Sequence, residues 1–542
     1  SGASLNENLN SGDFGKVYEP AANDPKAVGF SVTGGSLDLG IFTAREILTS
    51  GTTYTTLTTF RKYTGLEGAL GKAQLQGVDV VQMIGTSLVL QLNKTSVATG
   101  AVLDWTQGTL SGAAVALSPR DPTFRIGGTI GLSISDVVFG SATLTMSRSS
   151  VSGIDDPDEA TSQKLKGDLL TLSITEANLF IGTGATLISD PANTQFGKVS
   201  LPAEDDPSAV GFSVKNATLN LGFFVAREIL TSGTTYTALG TTQAPIRKYT
   251  GLESSLGVSR LQGVDAVKLV ALNLQFQLNR TSVSTGSVLD WTQAPLAAAG
   301  VALTPADPTF RIGGSVGLSI ADVIYGSAVI QVSRSSVTGV DDPDSSAANT
   351  LLKGELLSVA VSQATLFIGS GATLDMTTGV VVLPSTTDPK AVGFSVSNGA
   401  LDLGIFSARS GTTDGSNYSV LTQVRKYTGF EGSLGRAQLQ GVDAVQLIGT
   451  SMVLQLNRTS VSGGRVLDWS LPAVASANVA LGPNSPTFRI GGSAGLSIAG
   501  VVFGSAMVDV SRSVVSGVDD PDDAGTRKLQ GDLLGVSISN AR

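Results

Sequence analysis

Between Ser87 and Asn93 the chain alternates: Leu88, Leu90 and Leu92 stand against Ser87, Val89, Gln91 and Asn93. This is the two-residue period of a strand with one face buried. The stretch around it, Leu75 to Ser96, returns almost letter for letter at Leu261 to Ser282 and at Leu439 to Ser460. There Leu274, Phe276 and Leu278, and then Met452, Leu454 and Leu456, keep the apolar set. That set changes size and never polarity, as expected where a stacked core dictates the residue. Further passages of the same kind begin at Val28, Phe124 and Leu169, with Leu37, Leu39 and Ile41, and then Ala142, Leu144 and Met146, alternating with small or polar residues. One short helix is expected, at Ala44 to Leu48 (AREIL).

The motif AVGFSV places its glycine at Gly29, Gly211 and Gly393, 182 residues apart each time. A self-similar period of this kind predicts an array, which a chain of 542 residues needs because one compact core does not grow so large. The repeats are taken as 1–182, 183–369 and 370–542. Each has four strand-rich passages joined by looser segments whose lengths drift, which marks loops on a rigid frame. The fold expected is all-β: an elongated β-solenoid of about twelve coils stacked in parallel at roughly 4.8 Å, a rod on the order of 60 Å long. The alternative is a string of tandem antiparallel β-sandwich domains.

Composition narrows the chemistry. With no Cys and no His, disulfides, thiolate metal sites and the commonest general base are absent. A net charge of −9 argues against nucleic acid as a partner, and acidity suits divalent cations better. Mean hydropathy is +0.22, yet no run approaches the 18 or so apolar residues of a membrane helix, so no membrane span is expected. The start Ser1-Gly2-Ala3 has no initiator Met, which reads as a processed or excised piece with complementary, uncapped ends.

The sharpest polar motif is Gly-Ile/Val-Asp-Asp-Pro-Asp, giving Asp155, Asp156 and Asp158, then Asp341, Asp342 and Asp344, then Asp519, Asp520 and Asp522. Hard oxygen ligands on a proline-stiffened turn suit Ca²⁺, and the competing reading is a solvated acidic turn. Asp79, Asp265 and Asp443 read as corner residues bonding their own backbone rather than catalytic carboxylates. Trp105, Trp291 and Trp469, all in VLDW, read as packing anchors for the loop that follows, against a row of sugar-stacking rings. Arg61, Arg247 and Arg425, each opening Arg-Lys-Tyr, are expected to pair with Glu67, Glu253 and Glu431 on the surface. Asn93, Asn279 and Asn457 match the glycosylation triplet and equally an Asx turn. Gly127-Gly128 and its copies are not a phosphate loop, because no Lys-Ser/Thr follows.

The run from Leu261 through LNRTSVSTGSVLDWT, with PTFRIGGSVGLSIADVIYGSAVIQVSRSS from Pro308, resembles the repeats of very large secreted bacterial proteins, including those with a LEPR-XLL-type N-terminal signal. The resemblance covers most of every repeat and implies a surface or matrix component with no catalytic residues to transfer. The function expected is therefore a non-enzymatic, extracellular or cell-surface structural element. Its partners would be other copies joined end to end, or neighbouring repeats. The alternative is a polysaccharide-binding or carbohydrate-active adhesin.

Overall fold

A computed structural model describes residues 3–542 apart from 19–27, 77, 79, 99, 160–162, 204–205, 207, 241–244, 265, 284–285, 346–349, 386–387, 389, 413–416, 443 and 523–526. The alternating passages become long strands. The chain divides into two compact units, one of residues 1–263 with 278–306 and one of 264–277 with 307–542.

In the first unit the strands are β1 (Ser36–Ser50), β2 (Thr53–Gln76), β3 (Val81–Thr95), β4 (Phe124–Ile134), β5 (Val138–Asp155), β6 (Lys164–Thr183), β7 (Val210–Leu230) and β8 (Arg247–Gln262). Each pairs antiparallel with the next. Strand β9 (Val267–Thr281) contributes residues to both units. The second unit holds β10 (Phe310–Ile320), β11 (Ile324–Asp341), β12 (Leu351–Ser370), β13 (Val392–Thr412), β14 (Ser419–Gln440), β15 (Val445–Thr459), β16 (Phe488–Ile498), β17 (Val502–Asp519) and β18 (Lys528–Ser539). These too pair antiparallel in sequence order.

The protein is thus all-β as expected, but the parallel coil-on-coil solenoid is not what forms. The reason lies in the connections. Ser135 and Asp136, both near φ +50°, open a three-residue connection between the paired Ile134 and Val138, a short hairpin loop, and Ala321-Asp322 repeats it between Ile320 and Ile324. So few residues close an antiparallel pair, whereas a parallel pair needs a long crossover. Separate sandwiches do not form at the repeat boundaries either, because β6 pairs with β7 and β12 with β13 across them. AREIL is strand: Ala44 lies opposite Arg61 and Glu46 opposite Thr56, so propensity yields to the pairing.

The sheet faces are sorted by register. One row runs Leu37, Gly68, Leu90, Ile126, Met146, Leu172, Leu221, Leu252 across β1 to β8. The row one residue along, pointing to the other face, runs Asp38, Glu67, Gln91, Arg125, Ser147, Thr171, Gly222, Gly251. The second unit does the same, with Ile312, Val332, Val359, Leu403, Phe430, Leu456 and Phe488 on one face and Arg311, Ser333, Ser358, Gly404, Gly429 and Asn457 on the other.

The face of this second row is the covered one, and beside its small and polar positions it buries Leu169, Phe224 and Tyr249. Loops after β3, β9 and β15, each with a short 3₁₀ helix (Gly108–Ala113, Ala294–Ala299, Pro472–Ala477), lie over it. Hairpins pairing Thr186–Leu187 with Val199–Ser200, and Thr373–Leu374 with Val381–Val382, cover another part, burying Phe139 and Phe180 in one unit and Tyr325 and Phe367 in the other. The core therefore sits between this face and the chain's own loops. The leucines expected to point inward stand on the opposite face, where Leu90, Ile126, Leu170, Ile312, Leu454 and Ile490 remain 37–43 % exposed in mid-sheet.

Candidate functional site: the repeat junctions

Each loop is anchored by its tryptophan. Trp105, Trp291 and Trp469 are 0–2 % exposed, so the packing reading holds and their ring faces are not available to a sugar. Gly222 on β7 and Gly251 on β8, neighbours in register, form the slot for Trp291. A Cβ on Gly222 would stand 2.3 Å from the indole Cζ3, and one on Gly251 2.5 Å from Cε2. Gly40 with Gly65, and Gly404 with Gly429, hold the other two indoles in the same way.

The glycosylation-like asparagines complete this anchor. Asn279 is buried, its Oδ1 accepting the Trp291 Nε1–H at 3.2 Å while its Nδ2 donates to the Leu289 carbonyl at 3.0 Å. Asn93 and Asn457 do the same for Trp105 and Trp469. These side chains are thus neither glycan acceptors nor Asx-turn caps. The Glu67, Glu253 and Glu431 carboxylates accept backbone amides of the Trp loops, from Ala116, Ala302 and Ala480, rather than serving the arginines expected as their partners.

Two of those arginines, Arg247 and Arg425, reach the acidic turn of the preceding repeat. The Arg247 Nη1 group lies 2.6 and 2.7 Å from the two Asp156 oxygens, and 3.7 Å from Asp158. Arg425 repeats this with Asp342 at 3.1 and 2.9 Å and Asp344 at 3.9 Å. The Asp156 side chain is fully buried and Arg247 is 20 % exposed, so neither ion is solvated as a surface charge would be. Burial, the largest single influence, opposes the Arg247 charge, yet Asp156 and Tyr249 together outweigh it and raise the guanidinium pKa. Beside it, burial pushes the Tyr249 phenol up to about 12. Its ring stacks on Phe224 at 6.1 Å.

The remaining carboxylates of the turns take other partners. Asp155 pairs with Lys164, and Asp158 Oδ1 accepts the Ser287 amide at 2.6 Å. In the second copy Asp344 accepts the Arg465 amide at 2.6 Å and the Tyr427 hydroxyl at 3.3 Å. In the third, Asp519 pairs with Lys528, and Asp520 Oδ1 accepts the Asp522 amide at 3.0 Å. Among the described residues no three acidic side chains gather as a metal would require. Asp79, Asp265 and Asp443 lie outside the described residues.

Sequence reasoning missed two further ties. The Tyr236 and Tyr418 hydroxyl oxygens accept the Gly153 and Gly339 amide N–H groups of the turns, each at 3.1 Å. On the apolar face, Asp168 joins Arg148 and Arg227 across β5, β6 and β7 at 3.1 and 2.6 Å, and Glu355 joins Arg334 and Arg409. The signal for both lies in the repetition itself, since Tyr236 recurs as Tyr418, and Arg148, Asp168 and Arg227 recur as Arg334, Glu355 and Arg409. Chemically, these clusters are ion pairs and hydrogen bonds to backbone amides that fasten one repeat to the next.

No family model matches the chain, and no curated protein matches it. Among solved structures it is similar to the siderophore receptor PirA from Acinetobacter baumannii, at 11 % identity and a TM-score of 0.21 over 88 % of this chain and 64 % of that one. It is likewise similar to P. aeruginosa FpvA bound to heterologous pyoverdines, at 11 % identity and a TM-score of 0.23 over 88 % of this chain and 58 % of that one. The chain spans less than two thirds of either. At such TM-scores the likeness carries no argument.

Proposed function

We propose that this protein is a non-catalytic structural element of a cell envelope whose sheet stands in a lipid bilayer, with its apolar face against acyl chains. The observation that carries this is a sheet apolar on both sides: the face that bears Leu169, Phe224, Tyr249 and the tryptophan-slot glycines is roofed by its own loops, and the leucine-rich opposite face is left uncovered. A sheet folding in water buries the apolar face and solvates the other, whereas a membrane strand alternates apolar-out with polar-in. The shortest of β1 to β18 have the length of a membrane crossing, and the others run beyond it. Phe124 to Ile134 is 11 residues, within the 9–11 that a tilted strand needs to cross the hydrocarbon. The band is edged by the exposed Arg148–Asp168–Arg227 and Arg334–Glu355–Arg409 clusters, which suit a headgroup boundary. No described helix is long and apolar enough to cross a membrane, a fact without bearing on strands.

This reading keeps the structural, non-enzymatic class expected from the repeats and changes the medium from water to lipid. Calcium at the acidic turns is not needed for it. Flotation tests it: the purified full chain, mixed with phosphatidylcholine vesicles and detergent and then dialysed, should rise with the vesicles and stay with them through an alkaline carbonate wash. A chain that remains monodisperse in detergent-free buffer and stays at the bottom of the gradient would overturn the lipid reading in favour of the extracellular rod.

A further inference from the structure

The Arg-Lys-Tyr and Asn-Lys/Arg-Thr motifs lie side by side in every repeat, on β2 with β3, β8 with β9 and β14 with β15. Alternation splits each motif between the two faces of the sheet. Tyr63, Tyr249 and Tyr427 pack with the tryptophans on the covered face, where Asn93, Asn279 and Asn457 hold the indoles. The residues between them stand on the leucine face: Lys62 with Lys94, Lys248 with Arg280, and Lys426 with Arg458. All six are exposed.

Register makes a constellation of each pair. Lys94 lies opposite Thr64, and Arg458 opposite Thr428. The Lys62 amide donates to the Ser96 Oγ at 2.9 Å while the Lys62 carbonyl accepts the Ser96 amide at 2.8 Å. Lys248 with Ser282 and Lys426 with Ser460 make the same two bonds. The two cations thus sit diagonally across neighbouring strands, about 7–8 Å apart at the backbone, with a threonine and a serine at the other corners. Neither cation is neutralised. Asp168 and Glu355, on the same face, are each taken by two arginines, whereas none of the six makes an ion pair among the described residues. Like charges so placed repel, and an anion set between them removes the repulsion.

We infer that each pair is a site for the phosphate of an anionic phospholipid headgroup. The cations take the phosphoryl oxygens, and the serine hydroxyl, whose oxygen accepts the lysine amide, keeps its own proton to donate. Depth supports a lipid source. Lys94, Arg280 and Arg458 follow Leu92, Leu278 and Leu456 of the same face by two residues, about 7 Å, so their apolar stems lie along the leucines and their charges reach just past them. A bilayer with its acyl chains on the leucines sets its phosphates there. Each site lies within one compact unit, two in the first and one in the second. The inference rests on the lipid reading and adds to it the class of lipid bound.

To test it, the full chain is reconstituted into vesicles of phosphatidylcholine alone and of an equal mixture with phosphatidylglycerol, and floated. It is then extracted in mild nonionic detergent, and the lipid it retains is identified by native mass spectrometry. From the mixture, phosphatidylglycerol should be retained over phosphatidylcholine by about tenfold or more. Lys426→Gln with Arg458→Gln should remove one retained phosphatidylglycerol, and glutamine at all three pairs should abolish the preference while flotation on phosphatidylcholine is unchanged. Lys62→Arg, Lys248→Arg and Lys426→Arg together should keep the preference. So should Lys198→Gln with Lys268→Gln, which removes charge from ion pairs elsewhere. A chain that floats on phosphatidylcholine but shows no preference, or whose preference survives the six glutamines, overturns this inference and leaves the lipid reading standing. A chain that floats with neither vesicle overturns both. Displacement of the lipid by an equal concentration of inorganic phosphate would make these free-anion sites and would also overturn the headgroup assignment.

Discussion

Replacing Gly222 by Ala asks whether the Trp291 anchor is held by shape. An added Cβ would stand 2.3 Å from the indole Cζ3 and 2.9 Å from the Ala299 Cβ. Carbon atoms in contact prefer about 3.5–4.0 Å, so the ring must retreat by more than 1 Å from a position where it is fully buried. Overpacking of this kind costs about 1–3 kcal/mol, against a gain of roughly 0.5–1 kcal/mol from the stiffer unfolded backbone. Retreat also lengthens the 3.2 Å bond from Nε1 to Asn279, leaving a buried donor short of its acceptor at about 1–3 kcal/mol. The net expectation is a loss of about 2–4 kcal/mol. In a chain also carrying Trp105→Phe and Trp469→Phe, Trp291 is the sole tryptophan and reports on its own slot. Urea unfolding followed by its emission should show a lower midpoint and a red-shifted native spectrum. Gly40→Ala and Gly404→Ala, read in the corresponding backgrounds, are internal replicates. Unchanged midpoint and emission in Gly222→Ala would refute the shape argument.

Further outcomes follow from the junctions and the faces. Asp156→Asn leaves Arg247 charged and largely buried, and should lower stability by about 3–5 kcal/mol in chemical denaturation, whereas Asp532→Asn, at an exposed pair, should change it by less than about 1 kcal/mol. The folded Tyr249 pKa is raised to about 12 above its unfolded value near 10, so its contribution is complete below pH 10 and is lost as pH rises toward 12; Tyr249→Phe should flatten the stability profile in that window. Because guanidinium groups already hold Asp156 and Asp342, the melting curve should not change in excess EDTA after dialysis, and a calcium-dependent rise would instead return the metal to the turns.

The existence of the strands was legible because a period of two survives in every copy, and their antiparallel pairing was not. Similarity among passages within a repeat suggested one coil shape stacked many times. What decides pairing is connection length, and the three-residue connection that opens at Ser135-Asp136 lies inside one of the passages, read as a corner rather than a reversal. The packing role of the tryptophans was legible from their place at the head of a long loop. The Gly40–Gly65 slot was not, since the two glycines sit 25 positions apart and meet only through register. Similarly, Arg247 was assigned to Glu253, its neighbour in sequence, when the acid it binds lies 91 residues upstream. Proximity along a chain is a poor guide to charge pairing in a sheet, where the strand alongside comes from the previous repeat.

The direction of the apolar face is the deeper case. Leu88, Leu90 and Leu92 were taken as inward because alternation shows that one face of a strand is apolar, and in water that face is the buried one. Alternation by itself says nothing of what the face meets. The sign comes from the opposite row: Gly222, Gly251, Gly404 and Gly429 carry no side chain because an indole ring needs the space. Asn93, Asn279 and Asn457, polar and buried, exist on that row to hold the same ring. A face that supplies glycine slots and buried asparagines to its own loops is already occupied, which leaves the leucine face uncovered by those loops. Leu172→Arg, at the middle of the apolar row, separates the two media that remain. In a bilayer it should destabilise the fold by about 2–4 kcal/mol, as measured by unfolding from vesicles. In water it should change stability by no more than about 0.5 kcal/mol while raising solubility. The second result would place the leucine face against solvent or protein and would sink the lipid reading.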